Sequence, residues 1–227
     1  MTKKVKDIVN EDASLIAREA WTDEQIYELE KKGIFGKTWL FLGHESQIKN
    51  PGDFVQAYMG ETPIILARGS DEKVYANINS CSHRGVPVCR SDHGNAKRFV
   101  CPYHSWSYTV EGELATIPQE RELKSCPDKT KLGLKAVPRL ESWKGFYFGS
   151  FNEEIESLDD FLGDMKFYLG AFIDRFEGGV EFIGAPHRWT IDANWKLPVE
   201  NQLGDVNHGA FLHSSIIPKE AQDMIEK

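Results

Sequence analysis

Two short segments, Cys81-Ser82-His83 and Cys101-Pro102-Tyr103-His104, stand with seventeen residues between His83 and Cys101 in a chain of 227 residues. Each pairs one thiol with one imidazole, both ready ligands for a transition metal. If the four groups share a centre, two separate loops must meet at one point, which restricts the folds open to the chain. There are four cysteines in all, the others being Cys89 and Cys126. Four cysteines allow three disulfide pairings, but a disulfide framework has no need of a histidine beside each of two cysteines. For a cytoplasmic protein, the compartment expected here, metal binding is the better expectation. Cys89 and Cys126 lack a histidine at useful spacing and are expected to be small buried hydrophobes. His44, His93 and His187 stand alone and are expected at the surface or in local hydrogen bonds.

Two cysteines and two histidines are a common structural zinc set, so zinc is one reading of the four residues. Zinc sites generally pair like with like, however, whereas here each loop supplies one of each. That arrangement suits a two-iron sulfide cluster in which thiolates hold one iron and imidazoles the other, the Rieske [2Fe–2S] ligation. Neutral imidazoles leave such a cluster less negative, so it accepts an electron more readily than an all-cysteine cluster. Arg84-Gly85, Tyr103 and Trp106 are suited to shielding the cluster and hydrogen-bonding its sulfurs.

A net charge of −8, with no Lys/Arg run longer than two, argues against a nucleic-acid partner. The longest apolar runs, such as Ile64 to Ala67, are far too short to span a bilayer. Residues 1–20 contain early lysines but no apolar stretch and no small-residue cleavage site, so no secretory signal is expected. Thr22 and Gln25 have the spacing of a capping box ahead of a helix with Ile26 and Leu29 on its apolar face and a stop at Gly33. From Trp39 the period changes. Residues 54–58, 63–67 and 74–78 are short β-prone runs separated by turn residues, residues 107–114 resemble a hairpin centred on Glu111-Gly112, and residues 143–151 form an aromatic strand. Residues 158–176 have the spacing of an amphipathic helix, and residues 180–191 return to strand-like alternation. These patterns predict an α+β chain in three parts: a helical segment (1–37), an all-β domain (38–156) and the start of a further domain (157–227).

A second constellation follows in residues 194–215. Pro198 fits the first turn of a helix, on which Asn201, Asp205 and His208 share one narrow face. His213, five residues beyond His208, joins them only where the backbone loosens, and Gly209 is placed to allow that. Two imidazoles and a carboxylate form the facial triad that leaves positions open on a non-haem Fe(II). The bland alternative is a polar helix with two incidental histidines.

With the opening segment GIFGKTWLFLGHESQIKNPGDF, the two constellations resemble the α (large) subunit of Rieske non-haem iron aromatic-ring-hydroxylating dioxygenases, of the naphthalene and biphenyl dioxygenase kind, from about Trp21 to Ser214. The resemblance implies an all-β Rieske domain inserted in the N-terminal part of an α/β, helix-grip-like catalytic domain that is incomplete here. It implies that Cys81, His83, Cys101 and His104 bind the [2Fe–2S] cluster from two β-hairpins and that His208 and His213 bind a mononuclear Fe(II). Asp205 would bridge His208 to a cluster histidine of a neighbouring subunit, and Asn201 would lie close to the iron. The implied reaction is O₂-dependent cis-dihydroxylation of an aromatic ring, with electrons from NADH through a reductase and ferredoxin. The implied assembly is a trimer of α chains, with or without small β subunits. Relatives also perform mono-oxygenation or demethylation, and a Rieske electron carrier without an oxygenase site is the alternative from another class. Three departures stand out. Ser105 occupies a position where many relatives have Gly, and a positive φ there would cost about 1–2 kcal/mol. Gln202 and Asn207 replace residues that are commonly aromatic. The family's third iron ligand, an Asp, would fall beyond Lys227, so the sequence reads as a truncated α subunit expected to hold Fe(II) weakly on its own.

Overall fold

The computed structural model describes residues 8–12, 14–122, 128–184, 186–204, 208, 212, 213, 215 and 218. Two compact units emerge: one joins the residues up to Leu29 with those from Arg188 onward, and the other runs from Glu30 to His187. In the first, α1 (Glu19–Thr22) and α2 (Glu24–Glu30) are separated by Asp23, whose backbone is extended. Asp23 Oδ1 accepts the Gln25 N–H at 2.8 Å, so Asp23 caps α2. The expected cap, Thr22, lies within α1 and donates its hydroxyl to the Arg18 carbonyl instead. A carboxylate one residue nearer the helix takes the role, as its charge favours. Ile8, Ala20 and Ile26 form a small core, whereas Leu29 is half exposed. The helix does not stop at Gly33. It widens into a π-helical turn, Lys31–Phe35, and ends at Gly36, whose N–H donates to the Lys31 carbonyl.

Among the described residues the second unit has ten strands: β1 (Leu40–His44), β2 (Asp53–Met59), β3 (Thr62–Arg68), β4 (Val74–Ile78), β5 (His93–Asn95), β6 (Phe99–Val100), β7 (Ser107–Tyr108), β8 (Leu114–Thr116), β9 (Arg139–Trp143) and β10 (Phe146–Ser150). They form three sheets in the orders β4-β3-β2-β5, β1-β10-β9 and β6-β7-β8, and the pairings are antiparallel. The four-stranded sheet is covered on both faces. Ile64 and Leu66 of β3 pack with Val55, Ala57 and Met59 of β2 and with Leu42 of β1. Ile65 and Ala67 point the other way, with Phe54, Phe99, Tyr108 and Leu114. Side chains alternate across a strand, so a sheet buried on both faces needs consecutive apolar residues. That accounts for the uninterrupted run from Ile64 to Ala67.

The expected hairpins over residues 54–78 and 107–114 are present. The expected helix over 158–176 is two helices, α3 (Leu158–Leu162) and α4 (Met165–Ile173). Gly163 between them has φ +44°, outside the helical region. Ser157 caps α3 by accepting the Asp160 N–H. Residues 180–191 form no strand among the described residues. Gly184 has φ +76° and is followed closely by Pro186, which interrupts an extended pairing edge. Helix α5 (Lys196–Leu203) begins two residues ahead of Pro198, which therefore sits in the first turn, where no intrahelical N–H is needed. Among the described residues no helix is long and apolar enough to cross a membrane.

Leu66 has no exposed surface at the centre of the doubly covered sheet. Leu66→Ala is expected to lower unfolding stability by about 2–5 kcal/mol, read from urea denaturation followed by circular dichroism.

Candidate metal centres

The two Cys/His loops are closed in the same way. In the first, the Cys81 N–H donates to the Val86 carbonyl (2.9 Å) and the Gly85 N–H donates back to the Cys81 carbonyl (2.8 Å). In the second, the Cys101 N–H donates to the Trp106 carbonyl (2.8 Å) and the Ser105 N–H to the Cys101 carbonyl (3.0 Å). Every partner is displaced by twenty residues, so 81–86 and 101–106 are one loop design used twice. Gly85 (φ +75°) and Ser105 (φ +59°) hold the equivalent left-handed position. The positive φ considered for Ser105 is thus present, on a residue that bears its cost.

The histidines break this repetition. His104 lies twenty-one residues after His83, not twenty, so His83 corresponds to Tyr103 and Arg84 to His104. The two imidazole rings still meet, with centroids 4.6 Å apart. Cys81 and Cys101 are buried free thiols at 3% and 2% exposure, while His83 is exposed and His104 half-buried. Sulfur donors therefore lie inside and nitrogen donors outside. No group of three or more His, Cys, Asp or Glu is arranged to hold one metal ion among the described residues. The segregated set instead fits a binuclear sulfide cluster with unlike ends.

The surroundings are ordered by aromatic groups. Tyr108 is fully buried, and its hydroxyl lies 3.1 Å from Cys81 Sγ while accepting the Ser82 N–H at 3.1 Å. Because the oxygen already accepts one hydrogen bond, its own proton is free to point at sulfur. Burial, followed by the Cys81 hydrogen bond, pushes the phenol pKa well above its usual value, which keeps that proton in place. Trp106 stacks on His83 at 4.9 Å and 10°, and Tyr103 stacks on His104 at 3.8 Å. Desolvation, then the neighbouring His83 and Arg84, holds the His104 pKa below the ordinary imidazole value. This favours the neutral form, which ligates metals. Nothing in the sequence marks Tyr108 for this place, because its burial depends on the β6–β7 register, Phe99 opposite Tyr108.

The remaining candidates behave as follows. Cys89 is buried and its thiol pKa is pushed up by burial, as for an inert core residue; Cys126 lies outside the described residues. His44 is buried in a local network, with Nδ1 2.8 Å from Ser46 Oγ and its ring stacked on Phe182. His93 is exposed on β5 and His187 is also exposed. Asn201 is half-buried on α5 and lines a cavity of about 520 Å³ with Leu197, Glu200 and Gly204. The His208 and His213 rings come together, with centroids 5.3 Å apart. Asp205 and Asn207 lie outside the described residues, and Gln202 is exposed.

Residues 38–127 match the family described as Rieske [2Fe-2S] domain, which carries such a cluster. The chain is 40% identical over 216 residues to the benzene 1,2-dioxygenase subunit alpha of Pseudomonas putida, covering 94% of this chain and 48% of that protein. It is 42% identical to the large oxygenase component of the naphthalene 1,2-dioxygenase system of Pseudomonas aeruginosa, covering 95% and 48%. A solved structure of a naphthalene 1,2-dioxygenase variant bound to phenanthrene superposes with a TM-score of 0.87 at 41% identity, covering 95% of this chain and 48% of that one. The chain is thus similar over nearly its whole length to dioxygenase large (α) subunits and spans about half the length of the curated relatives it matches.

Ser105→Gly should remove the left-handed cost at some expense in chain entropy, a net gain of about 0.5–1 kcal/mol. The matching Gly85→Ala is expected to lose about 1–2 kcal/mol, both read from urea unfolding of the same preparation.

Proposed function

We propose that this chain is the Rieske part and adjoining catalytic segment of a terminal oxygenase α subunit that carries out O₂-dependent cis-dihydroxylation of an aromatic ring. The observation that carries the cluster assignment is the twice-used loop, with two buried thiols and two outward imidazoles. In this reading Cys81 and Cys101 would hold one iron of the cluster, and His83 and His104 the other. The cluster supplies single electrons, which the outward histidines bring close to the protein surface. Those electrons come from NADH through a reductase and a ferredoxin. Trp106 and Tyr103 hold the imidazole planes and exclude water from their faces. With the cluster bound, Tyr108 would donate to the Cys81 sulfur and favour the more negative reduced state.

His208 and His213 supply two ligands of a mononuclear Fe(II), with Asp205 orienting His208 and Asn201 nearby; the proximity of the two rings supports this. A further carboxylate would complete the facial triad. Asp205 also bridges to a cluster histidine of a neighbouring α chain, so the proposed assembly is a cytoplasmic α₃ or α₃β₃ oligomer. The proposed domain division is a Rieske domain over 38–156 flanked by catalytic-domain segments 1–37 and 157–227. The relatives named for benzene and naphthalene support a small aromatic substrate.

Protein purified without oxygen is expected to contain about two irons and two acid-labile sulfides per chain at the cluster and to give a Rieske EPR signal when reduced. Cys101→Ser or His104→Ala should abolish that signal, whereas His208→Ala should remove only additional Fe(II). A colourless protein with one zinc and no sulfide would overturn the reading.

Tyr108→Phe is expected to lower the cluster reduction potential by about 40 mV, equivalent to about 1 kcal/mol for one electron. An EPR-monitored redox titration checks this.

A further inference from the structure

The two loops share their closing hydrogen bonds but differ at their bases. Below the second loop, β6 and β7 form a ladder, with Phe99 opposite Tyr108 and Val100 opposite Ser107. Subtracting the twenty-residue displacement puts Asn79 opposite Val88 and Ser80 opposite Pro87 below the first loop. The Asn79 N–H that would give a rung is turned to the Pro63 carbonyl of the central sheet, and no strand pairing is formed there among the described residues. The Asn79 side chain occupies the gap. Its Oδ1 accepts the Val88 N–H (2.8 Å) and the Cys89 N–H (3.0 Å), and its Nδ2 donates to the Cys89 carbonyl (2.7 Å). The carboxamide thus bonds the opposite chain as a peptide group would in a ladder.

The surroundings hold this clamp still. Asn79 is 1% exposed, and its backbone N–H donates to the Pro63 carbonyl, which fixes it to the central sheet. Gln56 Nε2 donates to the same Cys89 carbonyl (3.0 Å) and to the Ser91 carbonyl (3.1 Å). Val88 and Cys89 lie in one core with Cys81, Cys101 and Tyr108. Asn79 is two residues from Cys81, so its side chain spans the base of the first loop just below the closing bond from the Cys81 N–H to the Val86 carbonyl.

We infer that Asn79 is a positioning residue of the cluster centre: it substitutes for a missing β-ladder rung and sets the placement of Cys81 and His83 relative to Cys101 and His104. This inference rests on the cluster assignment above. The test uses the 227-residue holoprotein, purified without oxygen, in wild-type, Asn79→Ala, Asn79→Asp and Leu66→Ala forms. Leu66 is in the core on the other face of the central sheet and controls for general destabilisation. Asn79→Ala is expected to lose its cluster to an iron chelator at least tenfold faster than Leu66→Ala and to broaden the reduced EPR signal. Asn79→Asp keeps the acceptor for both N–H groups and is expected to fall between wild type and Asn79→Ala. If Asn79→Ala releases its cluster no faster than Leu66→Ala and keeps the wild-type line shape, the inference is overturned while the cluster assignment stands. Should Asn79→Ala not accumulate in folded form, wild-type behaviour of Asn79→Asp overturns it instead. Absence of a Rieske signal from the wild type would overturn the cluster assignment itself, and this inference with it.

Discussion

The hydrogen bonds from Cys81 N–H to Val86 and from Cys101 N–H to Trp106 close two six-residue loops around their cysteines, and the rest of the larger unit serves to bring those loops together. A free six-residue loop would sample many conformations, and ordering its backbone costs roughly 1–2 kcal/mol per residue. Here the cost is offset by strands that the core already fixes. β4 leads into the first loop, and the second spans β6 and β7. Both loops then rest on the same apolar cluster, which contains Cys81, Cys101, Phe99 and Tyr108. The doubly covered central sheet is what makes that cluster possible, because β3 contributes Ile65 and Ala67 to it while Ile64 and Leu66 secure the opposite face.

Burial and polarity are divided sharply at the centre. Cys81 and Cys101 lie deep in the core, where the attraction between a bound metal and its sulfur ligands is little screened by water. Tyr108 supplies a hydrogen bond to one of these sulfurs. The imidazoles meet a different environment. They lie toward the surface, each flanked on one face by an aromatic ring, with Arg84 5.9 Å above the Tyr103 ring. Desolvation, then the neighbouring His83 and Arg84, disfavours a positive charge on His104, so its neutral, ligating form needs no carboxylate partner.

Much of this was legible in the chain. Ligand identity, spacing and loop order follow from residue type, and the hairpins follow from alternating β-prone runs between turn residues. Legibility failed where one backbone torsion decided the outcome. A single left-handed Gly163 divides an otherwise continuous helical pattern, and Gly184 with Pro186 stops the alternation of residues 180–191 from becoming a strand. It failed again where a role depends on a register not encoded locally. Asn79 reads as an ordinary polar residue at the end of a strand, and only its position opposite Val88 and Cys89 makes it a clamp. In the second constellation, the five-residue spacing separates His208 and His213 on a regular helix, yet their rings lie 5.3 Å apart, while Asp205 lies outside the described residues.

The one-residue difference between Cys-x-His and Cys-x-x-His has a structural consequence of its own. Two loops of one design with histidines at matched positions would present their imidazoles as equivalent groups. The extra residue instead puts His104 at the place of Arg84, and Tyr103 at the place of His83. Each loop then carries one imidazole and one further side chain at neighbouring positions, and those further side chains, Arg84 and Tyr103, face one another as a cation over a ring. The imidazoles are left in unlike settings, His83 against the Trp106 indole and His104 against the Tyr103 phenol. His104 is half-buried and shifted toward the neutral form, and His83 is exposed. The irregular spacing therefore leaves a repeated loop with two nitrogen donors that are chemically distinct before any metal is bound.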